Sequence, residues 1–226
     1  MTKIGIIGGM GPEATKNVYG YFIELNKHKP EQEHPNLVIL SCPSIPDRTE
    51  AILNDGESPL EDMIKTAKSL ETLKVDCIIV TCITAHYFVP EVQKHIKTPI
   101  CDALEILKEH LHQITRIGVL STSGTKATKI FDQKLNNSTI FYPDGKDQLL
   151  VMDAIYGKHG IKRTGNNKHA YHKIYHAGLN LIKQYDVEVL IAGCTELPLL
   201  DIKEITGIKV IDPMRVLVEW VTQKYH

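Results

Sequence analysis

Cys82 and Cys194 occupy matching places in an internal repeat of the 226-residue chain. Residues 75–82 (VDCIIVTC) align without a gap on 187–194 (VEVLIAGC), residues 4–15 on 117–128, and 100–102 on 210–212, in one order and at nearly constant separation. Each cysteine closes a short aliphatic run that reads as a buried strand, and each opens a turn that contains threonine: Cys82-Ile83-Thr84 and Cys194-Thr195-Glu196. If the two halves face each other across a pseudo-twofold axis, both thiols address one cleft from opposite sides. Inversion of a stereocentre by proton transfer needs that arrangement, because one group removes a proton from one face and another delivers a proton to the other. For each sulfur to come within about 3–3.5 Å of the reacting carbon, the two must lie on the order of 7 Å apart, beyond disulfide reach. One must be thiol while the other is thiolate, and a strand-end turn leading into a helix is expected to lower a cysteine pKa.

The residue types nearby suit a small anionic ligand. Gly8-Gly9-Met10-Gly11-Pro12 follows the first strand, and glycines there let backbone N–H groups approach a carboxylate. The span from Gly9 to Ala14 also fits a dinucleotide fingerprint, but the second strand ends in Leu40-Ser41-Cys42 where a ribose-binding acid is required. Pro46-Asp47-Arg48-Thr49 holds one of only four arginines, whose planar fork grips carboxylates in pairs of hydrogen bonds. Ser123 and Thr125 lie in the repeat partner of the glycine loop and are candidates to donate to the same ligand from the other half. Thr84 and Thr195 are candidates to orient the site, as is Glu196. His86, four residues after Cys82, reads either as a partner for the thiolate or as a cap on the turn. Cys42, Cys77 and Cys101 read as packing residues. His172 and His176 share a helical face with no third ligand at motif spacing, so no metal site is expected.

The elements that must carry these residues are short strands alternating with amphipathic helices. Strand candidates are 3–9, 37–40, 77–80, 99–101, 117–120, 139–141, 189–192 and 209–211. The clearest helical periodicity runs through Leu60, Met63, Ile64, Ala67, Leu70 and Leu73. The pattern predicts an α/β fold of two similar lobes, each a mainly parallel four-stranded sheet flanked by helices and related by pseudo-twofold symmetry, with ligands at the carboxyl ends of the strands. Segments 144–148 and 158–169 read as surface loops. Lys and Arg number 26 against 27 Asp and Glu, which gives no electrostatic footprint for nucleic acid or an anionic membrane. No apolar run approaches the roughly 18 residues of a spanning helix. Five cysteines, an odd number without a Cys-Xaa-Xaa-Cys pair, predict free thiols in a reducing cytoplasm.

In combination, GGMGP at 8–12, IPDRT at 45–49, TAH at 84–86, GCTE at 193–196 and IDPM at 211–214 resemble the cofactor-independent aspartate/glutamate racemases, the aspartate racemase branch in particular. The resemblance runs from residue 3 to the C-terminus. It implies a racemase that works without cofactor or metal, with Cys82 and Cys194 as the acid/base pair. It also implies an amino acid as substrate, aspartate first, with a glutamate or broad-specificity racemase or a catalytically impaired amino-acid-binding homologue as the alternatives, held by the Met10 backbone, Asp47, Arg48, Thr49, the turn Ile83-Thr84-Ala85 and Lys162. A homodimer is implied as well, as is a last helix that returns to the first lobe. The lobes would then be 1–102 plus 213–226, and 103–212, with the active site between them. Ile83 departs from the family, which has asparagine directly after the first cysteine.

Overall fold

The computed structural model describes residues 2–225, arranged as two sheets that each follow one repeat of the sequence. Strands β1 (Lys3–Gly8), β2 (Asn36–Ser41) and β3 (Cys77–Val80) form a parallel sheet of order β2-β1-β3, with Ile4 in register with Leu37 and Cys77. Strands β4 (Arg116–Leu120), β5 (Thr139–Phe141), β6 (Val189–Ala192), β7 (Glu204–Ile205) and β8 (Ile208–Ile211) form the second sheet, of order β5-β4-β6-β8-β7. Seven of the eight aliphatic runs chosen from sequence are strands β1–β6 and β8, and the inner strands β1, β3, β4 and β6 are buried on both faces, as parallel sheets covered by helices require.

The expectation of four strands in each sheet needs correction. The fourth strand of the first sheet shrinks to a single parallel bridge between Ile78 and Ile100. Pro99 has no N–H for the ladder, and Asp102 already caps the next helix, so nothing remains to extend the pairing. The second sheet gains β7, which pairs antiparallel with β8 through a turn in which Thr206 and Gly207 both have positive φ.

Among the described residues eleven α-helices surround the sheets: α1 (Pro12–Asn26), α2 (Arg48–Leu53), α3 (Leu60–Thr72), α4 (Val89–Gln93), α5 (Ala103–His110), α6 (Ser123–Thr128), α7 (Ile130–Lys134), α8 (Gly145–Tyr156), α9 (Ile161–Thr164), α10 (Lys168–Tyr185) and α11 (Pro213–Lys224). Segments 144–148 and 158–169 are therefore not plain loops. The first opens α8 and the second contains α9, whose short length and flanking glycines gave no usable periodicity. Among the described residues no helix is long and apolar enough to cross a membrane.

Equivalent residues start equivalent helices. Asp102 caps α5 by accepting from Leu104 N, and Asp212 caps α11 by accepting from Met214 N, at 2.9 Å in both cases. Three apolar clusters hold the layers. One surrounds Met63, Leu70 and Ile78 on the outer side of the first sheet, and another surrounds Ile155, Ile174 and Leu190 on the outer side of the second. The third lies between the sheets and joins Ile4, Ile6 and Ile79 to Ile117, Val119 and Ile191, with Leu104 of α5 and Leu217 of α11. Helix α11 packs on both α1 and α5.

Gly9 shows how tightly the cleft end of β1 is built. Its φ is +92°, and a β-carbon there would lie 2.5 Å from the backbone of Cys42. Gly9→Ala is expected to destabilise the fold by the about 1–3 kcal/mol of a strained backbone plus the cost of the clash. Urea unfolding checks this, and a loss below about 1 kcal/mol would show that the loop relaxes freely.

Candidate active site

Both cysteines sit where the repeat places them, one residue beyond Thr81 after β3 and one beyond Gly193 after β6, and each is buried at 6% exposure. The cleft between the strand ends contains an open cavity of about 400 Å³, lined by Gly9, Met10, Gly11, Arg48, Lys162 and Glu196 among others.

Around Cys82 the first half supplies a cation. Arg48, the first residue of α2, is 6% exposed. Its Nη1 donates to the carbonyls of Ile45 and Pro46 (3.3 and 2.9 Å), and its Nη2 donates to the Met10 carbonyl at 3.2 Å. That leaves one Nη2–H and the Nε–H, the edge a carboxylate grips with two bonds, and Nε is buried without a partner. Burial alone would make the guanidinium easier to deprotonate, but the neighbouring Cys82 and Asp47 outweigh this and raise its pKa. Asp47 caps α2, accepting from Thr49 N and Glu50 N with one oxygen and from the Tyr156 hydroxyl at 3.1 Å with the other.

His86 is an anchor for the turn. Its Nε2 accepts from Ala103 N (3.3 Å), so Nδ1 carries the proton and donates to the Cys82 carbonyl at 2.9 Å. It is 1% exposed, and burial lowers its pKa, so the ring is neutral. Of the two readings from sequence, the structure shows the bond to the turn. Ile83 and Ala85 are fully enclosed, and the Ile83 side chain belongs to the apolar cluster between the sheets.

Around Cys194 the second half supplies an acid and an ammonium. The Cys194 thiol donates to Glu196 Oε2 at 3.0 Å, and the Thr195 hydroxyl donates to the same oxygen at 3.4 Å. Lys162 of α9 donates to Glu196 Oε1 at 2.7 Å and lies 5.4 Å from the centre of the Tyr156 ring. Gly11 is the close neighbour on the other wall, where a β-carbon would come within 3.1 Å of Glu196 Oε1. Burial would depress the Lys162 pKa, but Glu196, Cys194 and Cys82 together raise it, so the ammonium senses both sulfurs. Burial first, then Glu196, push the Cys194 thiol well above its ordinary pKa against the pull of Lys162. The lowering expected for a strand-end turn does not occur here, because Cys194 is enclosed and a carboxyl group lies beside it.

Hydroxyls stitch the halves together beside the cleft. Thr84 shares hydrogen bonds with Thr122 (3.2 Å) and Thr125 (2.8 Å), and Thr49 donates to Thr122 at 3.3 Å. All four are buried. Thr125 thus faces the first half, whereas the Ser123 hydroxyl accepts from Gln148 of α8 at 3.3 Å. Gly124 permits the contact, since a β-carbon there would lie 2.9 Å from Thr49 Cα. Tyr156 and Thr122 complete the arrangement without having been singled out from sequence. Tyr156 ends α8 and has no counterpart in the repeat. Thr122 is visible only as the cap of α6, accepting from Thr125 N. Among the described residues no group of three His, Cys, Asp or Glu converges as metal ligands.

The model of the Asp/Glu/hydantoin racemases matches residues 7–221. The chain belongs to that family, and the family makes it an isomerase, an amino-acid racemase. It is 28% identical over 201 residues to the broad specificity amino-acid racemase RacX of Bacillus subtilis (strain 168), covering 86% of this chain and 85% of that protein. Among solved structures, the aspartate racemase of Picrophilus torridus superposes with a TM-score of 0.87 at 29% identity, covering 100% of this chain and 94% of that one. The glutamate racemase of Francisella tularensis subsp. tularensis SCHU S4, in complex with D-glutamate, shares the fold at a TM-score of 0.71 and 19% identity, covering 98% and 80% of the two chains.

The Cys194 environment is open to direct measurement. In Glu196→Gln the reaction of Cys194 with iodoacetamide, located by mass spectrometry across a pH series, is expected to move to lower pH, because a group that raises the thiol pKa is gone. Lys162→Met is expected to move it to higher pH. Identical profiles in both variants and the parent would refute this account.

Proposed function

We propose that the chain interconverts L- and D-aspartate by two-base proton transfer between Cys82 and Cys194, without pyridoxal phosphate or metal. One observation carries the reading: two repeat-related thiols end equivalent strands of the two sheets, and Arg48 and Lys162 line the cavity beside those strand ends. Arg48 takes a substrate carboxylate on its unpartnered Nε–H, and Lys162 with the backbone N–H groups of the glycine loop takes the other. These charges are in place before the reaction and stabilise the negative charge that develops as the α-proton departs.

In the resting site Cys194 carries its proton, hydrogen-bonded to Glu196, and Cys82 is the first base. Cys82 removes the α-proton from one face, Cys194 delivers its own to the opposite face, and Glu196 orients the donor. The reverse reaction exchanges the two roles. Asp47, Thr49, Thr84, Thr125 and Thr195 hold the walls, and Ile83 contributes backbone alone. Two cations facing one cavity favour a dicarboxylic substrate. The buried Ile83 side chain supports a second reading, a broader amino-acid preference, since it offers the substrate no polar group at that turn. The division into lobes 1–102 plus 213–226 and 103–212 belongs to the same reading, with α11 packed on α1 of the first lobe and on α5 of the second. So do a homodimeric state and a cytoplasmic location, where all five thiols stay reduced.

Incubation of the reduced protein with each aspartate enantiomer in D2O is expected to give inversion with deuterium at the α-carbon. Cys82→Ser and Cys194→Ser are each expected to lose racemisation by several orders of magnitude. Full activity in either variant sinks the two-base mechanism. Inversion of other amino acids with aspartate left untouched sinks the substrate assignment.

A further inference from the structure

Two half-buried aspartates, related by the repeat, each reach across from one sheet to the other. Asp102, at the end of the first repeat, accepts from Lys134 of α7 in the second half at 2.8 Å. Asp212, at the equivalent position of the second repeat, accepts from the Tyr21 hydroxyl of α1 in the first half at 2.6 Å, and Asn17 donates to that hydroxyl at 2.7 Å. Neither contact is needed for capping, because the helix N–H groups go to the other oxygen of each carboxyl group.

We propose that these two crossings, Asp102 with Lys134 and Asp212 with Tyr21, are positioning contacts that set the separation of Cys82 and Cys194; the inference rests on the racemase reading above. The first crossing leads to Cys82 through one side chain. Asp102 fixes the start of α5, Ala103 N of α5 donates to His86 Nε2, and His86 Nδ1 donates to the Cys82 carbonyl. The second crossing fixes α1 against the sheet that bears Cys194, and the first turn of α1 brings Gly11 and Pro12 to the cavity wall beside Glu196. Each half thereby holds the cleft-forming turn of the other. A displacement on the order of 1 Å in such a site can cost up to about a hundredfold in rate, so a lost crossing acts on chemistry well before it unfolds the protein.

The test separates spacing from stability by comparing a reaction that needs both sulfurs with one that needs a single sulfur. Racemisation needs both. Elimination from 3-chloroaspartate needs one: a thiolate takes the α-proton, the C–H electron pair forms the Cα=Cβ bond, chloride leaves with the C–Cl pair, and water converts the enamine to oxaloacetate and ammonia. Tyr21→Phe and Lys134→Met are expected to lose racemisation about tenfold or more while elimination stays within about twofold. Asn17→Ala, which leaves the tyrosine–aspartate bond in place, is expected to skew the ratio in the same direction by less. Tyr142→Phe is the control. It removes an equally buried hydroxyl bond, to Asp132 at 2.8 Å, but within one half, and it should leave the ratio of the two reactions unchanged. Equal losses of both reactions in Tyr21→Phe and Lys134→Met, or the same skew in Tyr142→Phe, overturn the proposal while the racemase reading stands. A parent protein that neither inverts nor eliminates sinks both.

Discussion

Two thiols can serve opposite faces of one carbon only if the bodies that carry them keep a fixed separation, and most of the seam between the sheets meets that constraint. The apolar cluster between the sheets supplies attraction without direction: Ile4, Ile6 and Ile79 share it with Ile117, Val119 and Ile191 and with residues of α1, α5 and α11. Direction comes from hydroxyls and carboxyls. Thr49 and Thr84 meet Thr122 and Thr125 at the cleft, and hydrogen bonds between buried groups tolerate little change in length before they leave a partner unsatisfied. Small side chains make the approach possible, since Gly124 lets α6 reach the backbone of α2.

Symmetry of the frame does not extend to the chemistry at the two sulfurs. Cys82 adjoins a guanidinium on a capped helix of its own half, and Cys194 adjoins a carboxyl group that is itself paired to an ammonium. The neighbours are unequal, and Lys162 on the short helix α9 is paired to the carboxyl group beside Cys194.

How much of this was legible in the sequence follows from how each feature is encoded. The strands were legible because a buried parallel strand is a short aliphatic run, and the cysteines because the repeat marks them. Asp47, Arg48 and Glu196 could be named as candidates, but not their partners, since the bonds from Tyr156 and Lys162 come from α8 and α9, which have no repeat counterpart in the first half. The fourth strand of the first sheet was overread because Pro99 sits inside an apolar stretch and forbids the ladder. The rise in the Cys194 pKa was invisible for a similar reason: local sequence shows the turn, whereas burial and the rotamer of Glu196 are set by the whole cleft.

The apolar cluster shared between the sheets carries a consequence for folding. It draws on both repeats, with residues of α1, α5, α7 and α11 among its members. A chain holding a single repeat would leave its share of that cluster in water, at about 25 cal/mol for each Å² of apolar surface. The two repeats are therefore one folding unit with a common core, and the cysteines that end their strands hold one position of the repeat among different neighbours.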